Sequence, residues 1–216
     1  MLARLREGGV RDERVLAAMA LIPREEFVTE GHEGEAYADR ALPIGYGQTI
    51  SQPLMVGILV QALQLREGDC VLDVGTGSGY QAAVIAACGS QVVSVERVPR
   101  LAAAAQNRFA RLGIDIAVLV GDGSLGAPGH GPFDAIAVAA ASPWPPPRPL
   151  LDGIVDGGRL VIPVSGGGDG RDYGDGERLI RFHRVGDEEP RYPWEDLGAC
   201  RFVPLIGSAA YETDED

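Results

Sequence analysis

Three alternate glycines carry the first chemical signal in this chain of 216 residues. They stand in the run Val71-Leu72-Asp73-Val74-Gly75-Thr76-Gly77-Ser78-Gly79-Tyr80. The apolar residues before them read as a buried strand and those after Tyr80 as a helix, so the glycines occupy a strand-to-helix turn. Such a turn lacks side chains where a ligand must approach the backbone closely or where φ must be positive. Glu96 ends the next apolar run, and a carboxylate there can accept hydrogen bonds from both hydroxyls of a ribose. Asp73 adds negative charge, which opposes a pyrophosphate but suits a ligand with an ammonium group. The dinucleotide fingerprint GxGxxG also fails, because Tyr80 stands where its last glycine is needed. On its own the turn could still serve only to pack a helix on a strand.

Other candidates lie on either side. Thr49 and Ser51, with Ile50 between them, sit in a glycine- and polar-rich segment from Ala41 to Pro53 that has no clean period. Their hydroxyls are neutral hydrogen-bond donors, suited to orienting an anionic acceptor without over-stabilising it. They could equally cap a helix beginning at Pro53. Gly121-Asp122-Gly123 follows a strand-like run and is, taken alone, an ordinary turn. Tyr37 and Asp39 suit either a surface turn or a substrate-side role.

The elements that must position these residues alternate along the chain. The stretch from Met1 to about Gln64 is largely helical, with Asp12 an N-cap candidate before Val15, Leu16, Met19 and Ala20. From residue 69 onward, strands are expected at Cys70–Val74, Gln91–Glu96, Ile114–Val120, Phe133–Ala139 and Arg159–Val164. Helices are expected at Tyr80–Cys88 and Arg100–Leu112. This order predicts an α/β fold, a doubly wound, mostly parallel sheet. An N-terminal helical cap covers it, and Arg178–Val185 and Ala199–Leu205 form an antiparallel edge. The prolines from Pro143 to Pro149 imply a rigid loop. A single domain is expected, with helices and the Ser51 loop in 1–64, the ligand-binding core in 65–165, and edge strands with an acidic tail in 166–216.

Composition narrows the function. A formal charge of −12 opposes nucleic acid as a partner, and no apolar run is long enough to cross a bilayer. The N-terminus lacks the apolar core of a signal peptide. Cys70, Cys88 and Cys200 form no paired spacing and suit reduced thiols of a cytoplasmic protein. His32, His130 and His183 are far apart, and no metal site is expected. Glu212, Asp214, Glu215 and Asp216 read as a solvated terminus.

Two resemblances add to this reading. The turn at Gly75, Thr76, Gly77 and Gly79, with Asp73 and Glu96, resembles the first signature of class I S-adenosylmethionine methyltransferases. That likeness implies a Rossmann-like fold and S-adenosyl-L-methionine as cofactor, with S-adenosyl-L-homocysteine as product. It also implies that Asp122 holds the adenine amine and that the Gly123 backbone faces a ring nitrogen. The segment from Tyr37 to Pro53, above all Leu42-Pro43-Ile44-Gly45 and Gly47-Gln48-Thr49-Ile50-Ser51, resembles the protein-L-isoaspartate O-methyltransferase family. Phe133-Asp134-Ala135-Ile136, Gly157 to Pro163 and Arg201 to Gly207 match in the same order, so the likeness spans roughly positions 10 to 207. It implies methyl transfer to the carboxylate of isoaspartyl residues in damaged peptides and proteins, followed by repair through a succinimide. Ser51 is then the active-site serine, with Thr49, Ile50 and Ser51 also near the cofactor. Tyr37, Asp39 and Val203 are expected on the substrate side, Val203 on an edge strand with which a peptide could pair. A monomer is expected. The family usually has threonine where Ala139 stands and glycine where Ser165 stands.

Overall fold

The computed structural model describes residues 1–166 and 176–212. Most of the glycine- and aspartate-rich loop at 166–176, and the tail residues Asp214, Glu215 and Asp216, lie outside the described residues.

The N-terminal part begins with α1 (Leu2–Glu7) and α2 (Glu13–Leu21). Asp12 caps α2 as its sequence position implies, accepting a hydrogen bond from the Arg14 backbone N–H at 2.9 Å. Where no regular structure was expected between Ala41 and Pro53, the chain forms a hairpin of β1 (Leu42–Gly45) and β2 (Gln48–Ile50). Its turn places Tyr46 at φ 54° between two glycines of positive φ. The segment then enters α3 (Pro53–Ala62), whose first residue is a proline.

The sheet follows. β3 (Cys70–Val74) leads to α4 (Tyr80–Ala87), β4 (Gln91–Glu96), α5 (Pro99–Leu112) and β5 (Ala117–Val120). After β6 (Phe133–Val138) come a two-residue β7 (Ser142–Pro143), α6 (Arg148–Asp152) and β8 (Ile154–Ser165). β9 (Glu177–His183) and β10 (Trp194–Cys200) close the fold. The strand order is β10-β9-β8-β6-β3-β4-β5, with β7 beside β8. The strands from β3 to β8 pair in parallel, whereas β8, β9 and β10 pair antiparallel.

Alternate residues of the strands feed two apolar layers, as the pleat requires. Val71, Ala135, Ala137 and Val161 face the layer built with α1 to α5. Leu72, Val74, Ile136, Val138, Leu160 and Ile162 face the other, with Leu150 and Leu151 of α6 and Trp144. The α4 helix is apolar on nearly every side because α2 and α3 cover it while it lies on the sheet.

Two expectations are corrected here. The last strand is Trp194–Cys200, not Ala199–Leu205. Beyond Cys200 the Phe202 N–H turns to the Glu177 carboxylate at 2.6 Å, and Pro204 has no N–H to offer a ladder. The proline-rich segment is not wholly loop either: Pro149 sits in the first turn of α6, where its missing N–H costs nothing.

Gly79, which opens α4, joins the two halves of the sheet's first crossover. Its φ is +90°, and a Cβ built there would lie 2.7 Å from the ring of Phe109 on α5. Gly79→Ala is therefore expected to lower unfolding free energy by on the order of 3 kcal/mol, combining left-handed strain with overpacking. Urea unfolding followed by circular dichroism measures this; an unchanged midpoint would show that α5 yields freely.

Candidate active site

The glycine turn is fastened to β4. Gly75 donates its N–H to the Val95 carbonyl at 2.9 Å, and Gly77 donates to the Glu96 carboxylate at 2.8 Å. Glu96 accepts a second backbone N–H, from Val98 at 2.9 Å, on its other oxygen. Each oxygen of this carboxylate thus retains one lone pair beyond its backbone bond. Beneath the turn, Asp73 is fully buried and accepts from Gln81 Nε2 at 2.8 Å and Ser94 Oγ at 2.7 Å. Ser94 Oγ in turn meets Thr76 Oγ1 at 2.6 Å. Burial raises the Asp73 carboxyl to about 6, against the lowering effect of its Ser94 and Gln81 hydrogen bonds; the Glu96 charge adds to the rise.

Above the turn opens a cavity. Gly75, Thr76, Gly77, Glu96 and Gly123 line it from the sheet side, and Thr49, Ile50 and Ser51 from the hairpin side. Three residues expected to touch a ligand do not border it. Asp73 lies under the turn, Gly79 packs on Phe109, and Asp122 is hydrogen-bonded to Ser124 and Ser208. Asp122 gives one oxygen to the N–H and hydroxyl of Ser124, and the other to the N–H and hydroxyl of Ser208. Burial pushes the Asp122 carboxyl up, but those hydrogen bonds together outweigh it and hold it below its ordinary value. The far wall is the segment Val203, Pro204, Leu205 and Ile206, joined by Tyr80 and Arg97. The run from Val203 to Gly207 was expected beside the site, but as an edge strand. The Val203 carbonyl and the Leu205 N–H are instead paired with Ala141.

A second cavity adjoins the first and includes Met55, Cys200 and Arg201 in its lining. Thr49, Ser51, Ala139 and Val203 border both. They form the partition between a ligand pocket and a groove. The Ser51 hydroxyl has no hydrogen-bond partner among the described residues. Neither Thr49 nor Ser51 caps α3, whose N-cap is Gln52 with no side-chain bond. That task falls to Asp39, which accepts from the Leu54 N–H at 3.1 Å. Tyr37 also lies away from both cavities and donates its hydroxyl to Glu25.

Sequence reading missed the residue that holds Ser51 in place. Arg24 is wholly buried. Its NH2 donates to the Ser51 carbonyl and its Nε to the Ala36 carbonyl, each at 2.7 Å, while its guanidinium lies 4.6 Å from the centre of the Tyr80 ring. Burial pulls Arg24 below its ordinary pKa, and the same cause pushes Tyr80 up to about 12. Arg108 makes a parallel tie, from Nε to the Glu26 carbonyl at 2.6 Å and from NH1 to the Ser78 carbonyl at 2.7 Å. An arginine among charged neighbours, as in Arg24-Glu25-Glu26, ordinarily signals a solvated surface, so no local pattern reveals either role.

Chemically, the pocket offers a ribose-type acceptor in Glu96 beside a glycine cradle, and hydroxyls at the border with a groove. His32, His130 and His183 line neither cavity. The arrangement suits transfer of a group from a nucleoside-like donor to an acceptor that needs no proton removed.

Comparison with known proteins gives the same direction. Residues 1–210 match the family model described as protein-L-isoaspartate(D-aspartate) O-methyltransferase. A protein-L-isoaspartate O-methyltransferase of Methanoculleus marisnigri is 48% identical over 209 residues, covering 96% of this chain and 90% of the relative. One from Koribacter versatilis is 47% identical over 208 residues, covering 96% of this chain and 89% of its own. Among solved structures, a protein-L-isoaspartate O-methyltransferase superposes with a TM-score of 0.81 at 27% identity, over 97% of this chain and 66% of that one. A Plasmodium falciparum protein assigned to the same family, solved with S-adenosyl-L-homocysteine, superposes with a TM-score of 0.76 at 26% identity, over 95% and 96%.

The buried Asp73 makes stability depend on pH. Its folded pKa of about 6 exceeds the unfolded value near 3.8, so its favourable contribution is full below pH 4 and is lost as pH rises to 6. Over that window wild type should lose about 3 kcal/mol relative to Asp73→Asn, and the difference should be flat above it. Urea unfolding of both proteins from pH 4 to pH 8 tests this; parallel curves would mean that Asp73 stays ionised in the fold.

Proposed function

The chain belongs to the protein-L-isoaspartate(D-aspartate) O-methyltransferase family, and from that membership we infer that it methylates the free carboxylate of L-isoaspartyl residues in proteins and peptides. The donor is S-adenosyl-L-methionine. The observation that carries the reading is the partition: the hydroxyl residues Thr49 and Ser51 border the ligand pocket and the acceptor groove at once.

The pocket suits the cofactor. Glu96 has lone pairs for the two ribose hydroxyls, and Gly75, Thr76 and Gly77 leave backbone exposed for the methionine end. Gly123 and Ile206 suit the adenine end. We assign Asp73 and Asp122 to holding the walls rather than to touching the ligand, because neither lines the pocket, whereas Glu96 does. When bound, S-adenosylmethionine supplies a sulfonium-activated methyl group.

The chain's own task is positioning. An acceptor carboxyl has an ordinary pKa near 4 and is anionic at neutral pH, so no general base is needed. Ser51, with its carbonyl held by Arg24, can donate its hydroxyl to one carboxylate oxygen and leave the other aimed across the partition. Thr49 offers a second neutral donor. The groove removes water from the acceptor, and alignment does the rest. The methyl ester formed has a better leaving group than the acid. The following backbone nitrogen attacks the ester carbonyl, methanol departs, and water opens the resulting succinimide to aspartate or isoaspartate.

A different acceptor is the second reading, because Ala139, where the family resemblance leads one to expect threonine, borders both cavities. We further infer a cytoplasmic protein acting on proteins and peptides rather than nucleic acid, in line with the charge of −12. No helix among the described residues is long and apolar enough to cross a membrane.

Radiolabelled methyl transfer to a synthetic isoaspartyl peptide, with the aspartyl peptide as control, is the deciding assay. Base-labile label is expected on the isoaspartyl peptide alone. Ser51→Ala should lower kcat by on the order of 10- to 100-fold, with cofactor affinity little changed. Cofactor binding without label on that peptide would overturn the acceptor assignment.

A further inference from the structure

The wall of the ligand pocket at 203–206 belongs to no strand, yet it faces both cavities. Val203, Pro204, Leu205 and Ile206 line the cofactor pocket, and Val203 also lines the acceptor groove. At its start the wall is held to Ala141, which donates to the Val203 carbonyl at 2.8 Å and accepts from the Leu205 N–H at 2.7 Å. Its end is held differently. Ser208 donates its N–H at 2.7 Å and its hydroxyl at 2.8 Å to the same oxygen of Asp122. Ala209 adds an N–H to Ser124 Oγ at 3.1 Å.

Between wall and anchor stands Gly207. A Cβ built on it would lie 2.1 Å from Asp122 Oδ1 and 2.4 Å from Ser124 Oγ. No side chain fits while the anchor is closed. Asp122 and Ser124 are fixed to one another by two bonds of their own, so they cannot retreat without giving those up. The charged acceptor makes the Ser208 bonds stronger than neutral ones.

We propose that Ser208 and Gly207 are positioning residues that hang the shared wall on Asp122, so that one anchor sets both cofactor retention and acceptor alignment. This rests on the reading of the cavity above the glycine turn as the S-adenosylmethionine site. Substituting Asp122 itself would not separate an anchor from a direct adenine contact, whereas Ser208 and Gly207 border neither cavity. A structural role alone would change folding without changing both ligand constants together.

The test uses the full chain as wild type, Ser208→Ala, Ser208→Thr and Gly207→Ala. Calorimetry gives the Kd for S-adenosylhomocysteine, the methyl-transfer assay gives KM for the isoaspartyl peptide, and melting gives Tm without ligand. Ser208→Ala should raise both Kd and KM by about fivefold, the effect of one exposed charge-assisted hydrogen bond. Gly207→Ala should raise both further, and Ser208→Thr should restore both to within about twofold of wild type, with Tm nearly constant in the Ser208 pair. If wild type itself fails to bind S-adenosylhomocysteine, the site reading fails. If wild type binds and Ser208→Ala and Gly207→Ala leave Kd or KM at the wild-type value, the shared anchor is overturned.

Discussion

Backbone N–H groups at the end of β3 have to be satisfied without filling the space above them, and most of the site follows from how this is done. The turn cannot continue the ladder, because it must bend into α4. Val95 and Glu96 on the neighbouring strand take its N–H groups instead. Using Glu96 for this fixes a carboxylate at the crevice between parallel strands, where open α/β sheets bind ligands. The hydroxyl chain from Thr76 through Ser94 to Asp73 holds the turn from below. A buried carboxylate is costly unless hydrogen-bonded, and here two donors meet it. Ligand binding therefore needs little rearrangement of the turn.

The N-terminal part is joined to the sheet unit through two arginines, Arg24 from the cap and Arg108 from α5, as well as through apolar packing. Arg24 and Arg108 each span from a cap carbonyl to a carbonyl of the site, on Ser51 and Ser78 respectively. Phe27 fills the space between them, edge-on to Tyr80 at 5.5 Å and under the Arg108 guanidinium at 5.6 Å. Carbonyls held by planar, multi-donor cations cannot drift independently. The hydroxyl of Ser51 is thus carried on a backbone that is tied at its own carbonyl, while the side chain stays available at the partition.

Much of this was legible in the residues. β3 and β4 begin and end where the residues predict, their mostly apolar runs interrupted inside only by Asp73 and Ser94, which hydrogen-bond to each other. The glycine spacing, Glu96 and the Ser51 segment led to the pocket for a chemical reason. What stayed hidden depends on distance along the chain. Asp39 caps a helix whose capped N–H is fifteen positions away, whereas cap rules look only to adjacent residues. Asp73 has the spacing of a ligand contact, and only its complete burial with Gln81 and Ser94 beneath the turn shows that it does not line the pocket. The apolar run Val203 to Ile206 has strand composition but bends around Pro204, and its pairing with Ala141 is set by a loop sixty residues earlier. Arg24 was invisible for the reason that charge is normally a mark of surface.

The dependence on Arg24 bears on modularity. Read as text, residues 1–64 look like an appendage to a self-contained α/β unit, the kind of segment that recombination could exchange between relatives. Physically the boundary runs elsewhere. A cation from the appendage lies stacked on Tyr80, the first residue of α4, with its charge out of reach of water. Any transplant of the sheet onto a different cap would have to bring a guanidinium for the Tyr80 ring and a carbonyl for Arg108, or leave both unmet. The heritable unit of function here is the pair, cap and sheet together.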